Sequence, residues 1–340
     1  MPAKTKSRAQ PLRIAVAGIG EVARRNYLPF LASQPDVTLA LYNRTPEKAA
    51  EAAREFGGVA CTSLKELAAW KPTTVLVLTA ETCRHEVGTA LLKLGVPRIF
   101  FEKPLVAVHG QANVEEADFF KARAMLRLAA KRQCETAMVF NYRFFEQTLA
   151  ARKIAAQRKF GPVINITGQV HYACWSHCLD LIYHFAGEVR EITALRGPMA
   201  RTGDRVGTAH DVAAAFVTAG GAAGTILGTA GMKWQHPLFE LVFTFAHGRI
   251  HLRDLDGTLE ILDGARRQHE TITCVRDASR WNHYDDSFKK AVGAYVQSLR
   301  EKAPPPVPGI DGLRELQFEA ALRRSIRERR PVKLAKEFPL

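Results

Sequence analysis

Leu12-Arg13-Ile14-Ala15-Val16-Ala17-Gly18-Ile19-Gly20-Glu21-Val22-Ala23 is the stretch that decides the fold. Residues 12–17 are a short apolar run of strand length, and helical patterning follows from 21 to 33. The two glycines therefore sit in a strand-to-helix turn with the spacing G-x-G-x-x-A. In that pattern Gly18 makes the tight turn and Gly20 lets a pyrophosphate approach the backbone. Ala23 lets the helix pack closely on the sheet. The stretch predicts a dinucleotide site at the head of a parallel α/β sheet.

The same rhythm continues outward. Strand-like VTLALYN is followed by a helix over 46–56, which Thr45 can cap with Pro46 at its first position. A capping box at Ser63–Glu66 opens another helix. Then come TTVLVLT, a helix over 84–94, RIFF, a helix near 115–131, and ETAMVF. Alternation of this kind implies a doubly wound Rossmann sheet with right-handed crossovers. After about residue 142 the pattern changes. A helix over 144–158, the strand PVINITGQV and a short helix over 178–185 precede five alternating strands: AAFVTAG, GTILGTA, LFELVFTF, GRIHLRD and TLEIL. Tight turns at His247-Gly248 and Asp256-Gly257 mark a mostly antiparallel sheet. Helices over 284–301 and 313–328 close the chain. The expected division is a dinucleotide-binding domain over 1–140 and an α+β substrate-binding and oligomerisation domain over 141–340. An open sheet face spanning 210–262 needs a cover, which predicts a homo-oligomer, a dimer or tetramer.

Among 340 residues, 48 Lys and Arg against 34 Asp and Glu give a net charge of +14. The basic residues are scattered over helices, without a stripe interleaved with aromatics, so nucleic acid is not the expected partner. An anionic small molecule is the better match. No apolar run reaches membrane-spanning length, and the segment before Leu12 is a poor export signal. Six thinly spread cysteines fit a reduced, cytoplasmic setting. His171, Cys174, His177 and Cys178 have no usual zinc spacing, and no metal is expected.

The end of the second strand should read the adenosine ribose. An NAD-preferring site usually carries an acid there, whereas this chain has Asn43-Arg44-Thr45. Arg44 can pair with a phosphate, and Thr45 stands at a helix N-terminus that favours anions. The expected cofactor is NADP(H) in preference to NAD(H). Further along, Asp180 and His184 are four apart on a helix and so share one face.

With Glu102-Lys103-Pro104 after the fifth strand, these residues resemble the glucose–fructose oxidoreductase / inositol dehydrogenase / rhizopine catabolism (Gfo/Idh/MocA) family across nearly the whole chain. Thr79-Ala80-Glu81 with His85 is similar to its T-P-x-x-x-x-H. Asn141-Tyr142-Arg143-Phe144 is similar to its N-x-R-F. The tail from Asp311 resembles its closing helix, with Arg329 where a glycine is usual. The resemblance implies that Lys103 points at the nicotinamide and the substrate's reacting oxygen, with Glu102 bracing the loop and, like Thr79, His85 and Arg143, beside the cofactor. Asp180 and His184 match the acid and histidine of G-G-x-x-x-D-x-x-x-H, implying a substrate hydrogen bond from Asp180 and general acid/base work by His184. Trp175 and Ser176 replace the paired glycines, so Trp175 and His177 are expected against the substrate.

The implied activity is hydride transfer between nicotinamide C4 and a secondary alcohol or ketone of a sugar, cyclitol or nucleotide sugar. An imine reductase, or a non-catalytic NADP-binding sensor on the same scaffold, is the alternative.

Overall fold

Six parallel strands carry the first half of the chain: β1 (Leu12–Ala17), β2 (Val37–Tyr42), β3 (Val59–Cys61), β4 (Thr74–Val77), β5 (Arg98–Phe101) and β6 (Glu135–Met138), in the order β3-β2-β1-β4-β5-β6. The computed structural model describes residues 11–255, 257–274 and 279–340. Asp256 of the expected turn and the segment before residue 11 lie outside them. In β1, Ile14 to Ala17 have no exposed surface, as a central strand covered on both faces requires. The order reverses between β1 and β4. The crevice at their carboxyl ends is where such sheets bind ligands.

The helices of this half are α1 (Leu28–Ala32), α2 (Pro46–Phe56), α3 (Leu64–Ala69), α4 (Glu81–Lys93) and α5 (Glu116–Lys131). A π-helical turn, Ala23–Tyr27, leads into α1. Two capping expectations are corrected. Thr45 makes no side-chain cap on α2, because its segment is held by Asn43, whose amide donates to the Thr45 carbonyl at 3.2 Å. Ser63 does cap α3, accepting from Glu66 N–H at 3.1 Å. The Glu66 carboxylate, however, reaches Thr62 N–H at 2.7 Å, one residue earlier than the box predicts.

After a 3₁₀ turn (Asn141–Phe144) come α6 (Glu146–Gln157), β7 (Val163–His171) and α7 (Trp175–Ala186). The strands β8 (Val189–Gly203), β9 (Gly207–Thr218), β10 (Ala223–Thr229), β11 (Phe239–Phe245), β12 (Gly248–Arg253), β13 (Thr258–Asp263) and β14 (Gln268–Thr273) follow. The chain ends with α8 (Arg280–Glu301), α9 (Gly309–Glu328), β15 (Val332–Lys333) and α10 (Leu334–Glu337). The nine strands form one sheet, β14-β13-β12-β11-β7-β10-β9-β8-β15. Its pairs are antiparallel except β7 with β10. β8 escaped the sequence reading because Gly197 and Pro198 interrupt its alternation, and in the fold its pairing with β9 shifts register between Arg196 and Ala200. The opposite face is open, with Leu195 71% and Met199 64% exposed.

The division at residue 140 separates the two sheets but not the helices. α8 returns to the first sheet, where Phe288, Val292 and Tyr295 share a core with Ile14, Leu28 and Phe100. The Tyr295 hydroxyl lies 2.7 Å from Thr74 Oγ1, and Arg300 pairs with Asp36 at 2.6 Å. A sheet face lined by Leu12, Ile14 and Val16 needs an apolar cover, and the five-residue α1 is too short to supply it alone. Arg329, at the glycine position of the closing motif, takes φ +53° and ends α9 in the left-handed conformation.

Candidate active site

The glycine turn is built as its sequence requires. Gly18 has φ +102°, and a Cβ there would come within 2.6 Å of Thr79 N. At Gly20 a Cβ would meet nothing within 4 Å, so the backbone lies open to an incoming group. Ala23 is fully buried against the sheet. Asn43 does not face outward to a ribose. Its Oδ1 accepts from Ile19 N–H at 3.0 Å and fixes the loop between the glycines. That leaves Arg44, exposed at the end of β2, as the cation able to meet a phosphate.

At the end of β5 the charges of Glu102-Lys103 separate. Glu102 is 7% exposed. Its carboxylate accepts from the Tyr27 hydroxyl at 2.6 Å and from Lys103 N–H at 2.9 Å, so Glu102 braces the turn. Lys103 Nζ donates to Gln111 Oε1 at 2.9 Å and to the Ala173 carbonyl at 3.3 Å. It lines a cleft of about 360 Å³ between the two sheets. One wall is Gly20, Thr79, Glu81, Arg84 and Gln111; the other is Tyr142, Cys174, Trp234, Trp281 and Tyr284, with Arg205 at the mouth. Thr79 Oγ1 is buried without a partner. An open glycine, an orphaned hydroxyl and a strand-end lysine in one cleft fit a dinucleotide site.

The structure does not bring every expected residue to this cleft. His85 is half-buried and does not line it; burial, then the Lys121 ammonium, lowers its pKa. Arg84, one position earlier, turns inward instead and donates to the Thr79 carbonyl at 2.6 Å and to the Pro104 carbonyl. Arg143 is also turned away, holding Asp180 at 2.5 Å and Asp311 at 2.8 Å. Asp180 is 1% exposed. Burial raises its pKa to about 6 against the opposing pull of Arg143. His184 lines a separate cleft with Arg143, Tyr183, Glu188 and Arg314. Burial, then the Arg143 and Arg152 guanidinium groups, push its pKa down to about 3. Asp180 and His184 thus flank one arginine, as their shared helix face implies, but neither lines the cleft of Lys103. Trp175 is buried against Tyr172 and lies where a side chain at Gly228 would strike it, so it packs on the sheet.

His177 is the histidine of α7 nearest the lysine's influence. Its ring stacks on Tyr142 with centroids 4.0 Å apart. Both ring nitrogens are buried without partners. Burial, followed by the Lys103 ammonium, pushes its pKa well below the usual value. The sequence reading missed Gln111, Arg84 and the aromatic wall. The sequence signal for the wall was Trp281 and Tyr284 three apart at the start of α8; in the fold Trp234 lies 5.3 Å from Trp281. Among the described residues, no group of three or more His, Cys, Asp or Glu could hold a metal ion, and no helix is long and apolar enough to cross a membrane.

Comparison with known proteins places the chain. Residues 12–140 match the Gfo/Idh/MocA oxidoreductase family, NAD-binding Rossmann fold. No curated protein matches by sequence. Among solved structures, levoglucosan dehydrogenase in complex with NADH and levoglucosan is similar at TM-score 0.78 and 17% identity, covering 96% of this chain and 100% of that one. UDP-N-acetylglucosamine 3-dehydrogenase GnnA from Acidithiobacillus ferrooxidans gives 0.74 at 18%, covering 93% and 98%. The WlbA dehydrogenase from Bordetella pertussis, in complex with NADH and UDP-GlcNAcA, gives 0.75 at 17%, covering 95% and 98%. At such identities the likeness is one of fold, and it extends over both sheets. Residues 12–140 are thus similar to the Gfo/Idh/MocA oxidoreductase family with its NAD-binding Rossmann fold, and the two-sheet fold of the whole chain is that of the solved dehydrogenases.

Proposed function

We propose that this protein is an NADP(H)-preferring dehydrogenase or reductase acting on a secondary alcohol or ketone of a sugar, cyclitol or nucleotide sugar, with Lys103 as its catalytic residue. The observation that carries the reading is the Lys103 ammonium, at the carboxyl end of β5, in the same cleft as Gly20 and Thr79. Gly18, Gly20 and Thr79 would hold the cofactor's pyrophosphate side, and Arg44 a 2′-phosphate. When bound, the cofactor supplies the hydride transfer. Lys103 holds the substrate oxygen, offsets the negative charge that grows on it and passes the proton. Tyr142, Trp234, Trp281 and Tyr284 exclude water and offer flat apolar faces to a ring. His177, neutral and fully buried, supports Tyr142 from behind. Sugar and nucleotide-sugar dehydrogenases among the similar folds support the substrate class.

A thermal-shift screen of nucleotide sugars, free sugars, anhydrosugars and inositols with NADPH present, followed by turnover of the hits, tests this reading. Nicotinamide binding without turnover across the panel would sink it in favour of a sensor. The exposed face carrying Leu195, Met199 and Leu227 supports a homo-oligomer joined through the second sheet. A monomeric mass by light scattering at micromolar concentration would count against that.

A further inference from the structure

A lysine ammonium has three N–H bonds and accepts none. Lys103 directs two of them to Gln111 Oε1 and the Ala173 carbonyl. Both acceptors are themselves tied down. Gln111 N–H donates to Glu81 Oε1 at 3.3 Å, and Ala173 N–H donates to His171 Nδ1 at 3.1 Å. The segment carrying Gln111 is strapped to the second half of the chain. Asn113 donates to the Thr208 carbonyl at 3.1 Å. Arg323 of α9 donates to the Val114 carbonyl at 2.9 Å and the Ala112 carbonyl at 3.2 Å. The neighbouring carboxylate, Glu102, is already taken by Tyr27 and by backbone.

We infer that Gln111 is the positioning residue of Lys103. With the Ala173 carbonyl it occupies two N–H bonds and leaves the third for the cleft. An amide suits this task where a carboxylate would not. A glutamate in contact with Nζ would aim the ammonium equally well. It would also neutralise the charge, leaving less of it for a substrate oxygen becoming negative. Gln111 therefore orients the lysine without reducing its electrostatic strength. The inference rests on the catalytic reading of Lys103, but its test stands apart from that reading.

The 340-residue chain is treated with acetic anhydride, and modification of Lys103 is timed by peptide mass spectrometry, with the exposed lysines as internal controls. Acylation needs an uncharged, mobile amine. Gln111→Leu should speed it by about tenfold, the scale of a lost hydrogen bond to a charged group, while the isosteric Gln111→Glu should slow it. Both variants should lower kcat for whichever sugar the screen returns and leave the KM for NADPH unchanged. Equal Lys103 labelling in parent and both variants overturns the inference, as does a shift in the same direction in both. Loss of the inference with a dead Lys103→Ala enzyme leaves the reading of the site standing. An active Lys103→Ala enzyme ends that reading, whatever the labelling shows.

Discussion

The imidazole of His177 lies flat on the ring of Tyr142, with centroids 4.0 Å apart and planes 9° from parallel. Tyr142 is anchored a second time by its hydroxyl, which donates to Cys174 Sγ at 3.1 Å. The histidine therefore acts as a flat support for a cleft wall. His177→Phe should preserve the wall and turnover. His177→Ala should empty the space behind Tyr142 and destabilise the fold by about 3 kcal/mol, with a raised substrate KM. A His177→Phe enzyme as impaired as His177→Ala would show that a ring nitrogen, not the stack, is needed.

Lys103→Ala should lower kcat by roughly 10²- to 10⁴-fold while NADPH affinity, measured by calorimetry, barely changes. His184→Ala is the paired control. Its ring is held in another cleft beside Arg143 and Arg152, so its kcat should stay near the parent's. The reverse ranking of the two variants would overturn the assignment.

Cofactor choice should follow from the division of labour after β2. Arg44→Ala should weaken NADPH by about tenfold, the scale of one charge-assisted contact, and leave NADH nearly unchanged. Asn43→Ala frees Ile19 N–H and loosens the glycine turn, so it should weaken both. Calorimetric titration of the two nucleotides on each variant reads this directly. Parent binding of NADH as tight as NADPH would remove the preference.

Removing the cation from the Arg143, Asp180 and Asp311 cluster should be costly, because the buried Asp180 loses the partner that holds its charge and must either stay ionised unpaired or take up a proton. Arg143→Met should destabilise by about 3–5 kcal/mol. Adding Asp180→Asn should restore part of this in chemical denaturation. A double variant no more stable than Arg143→Met alone would mean that the charge of Asp180 is not the cause.

Glu315 and Glu319 lie one helical turn apart on α9, each 1% exposed. Burial raises the pKa of both, that of Glu319 to about 7. Between the ordinary carboxylate range and about pH 7 the folded chain therefore binds more protons than the unfolded one. This contribution to stability is present at acid pH and lost as pH rises through 7. Glu319→Gln should flatten the fall in Tm between about pH 5 and pH 8 and raise the Tm at the upper end. A variant whose Tm declines as steeply as the parent's would refute this.

Much of the first sheet was legible because its signals are local. G-x-G-x-x-A, the strand–helix alternation and Pro46 at a helix start each depend on neighbours in sequence, and the 46–56 helix appears with those bounds. Glu102-Lys103-Pro104 after an apolar run is a local signal of the same kind, and its reading came through the family resemblance. What failed was rotation. On α4 a choice of one position, Arg84 or His85, decides which side chain lines the cleft, and on α7 a choice of helix face decides that His177 backs the cleft wall while His184 lines another cleft. Only packing against β5, the Gln111 strap and the second sheet makes that choice. Gln111 itself carries no motif; it matters because Asn113 and Arg323 fix the strap that presents it.

The π-helical turn at Ala23–Tyr27 has a consequence for how this chain can vary. A π turn holds one residue more than an α turn. Deleting a single residue there would leave a regular helix but rotate everything before it by about 100° relative to everything after it. Tyr27 could not then meet Glu102 while Gly20 kept its station in the cleft. The helix length is thus locked to the chemistry of a loop 75 positions downstream. Natural insertions and deletions should be tolerated beyond Ala32 and purged between Gly20 and Tyr27.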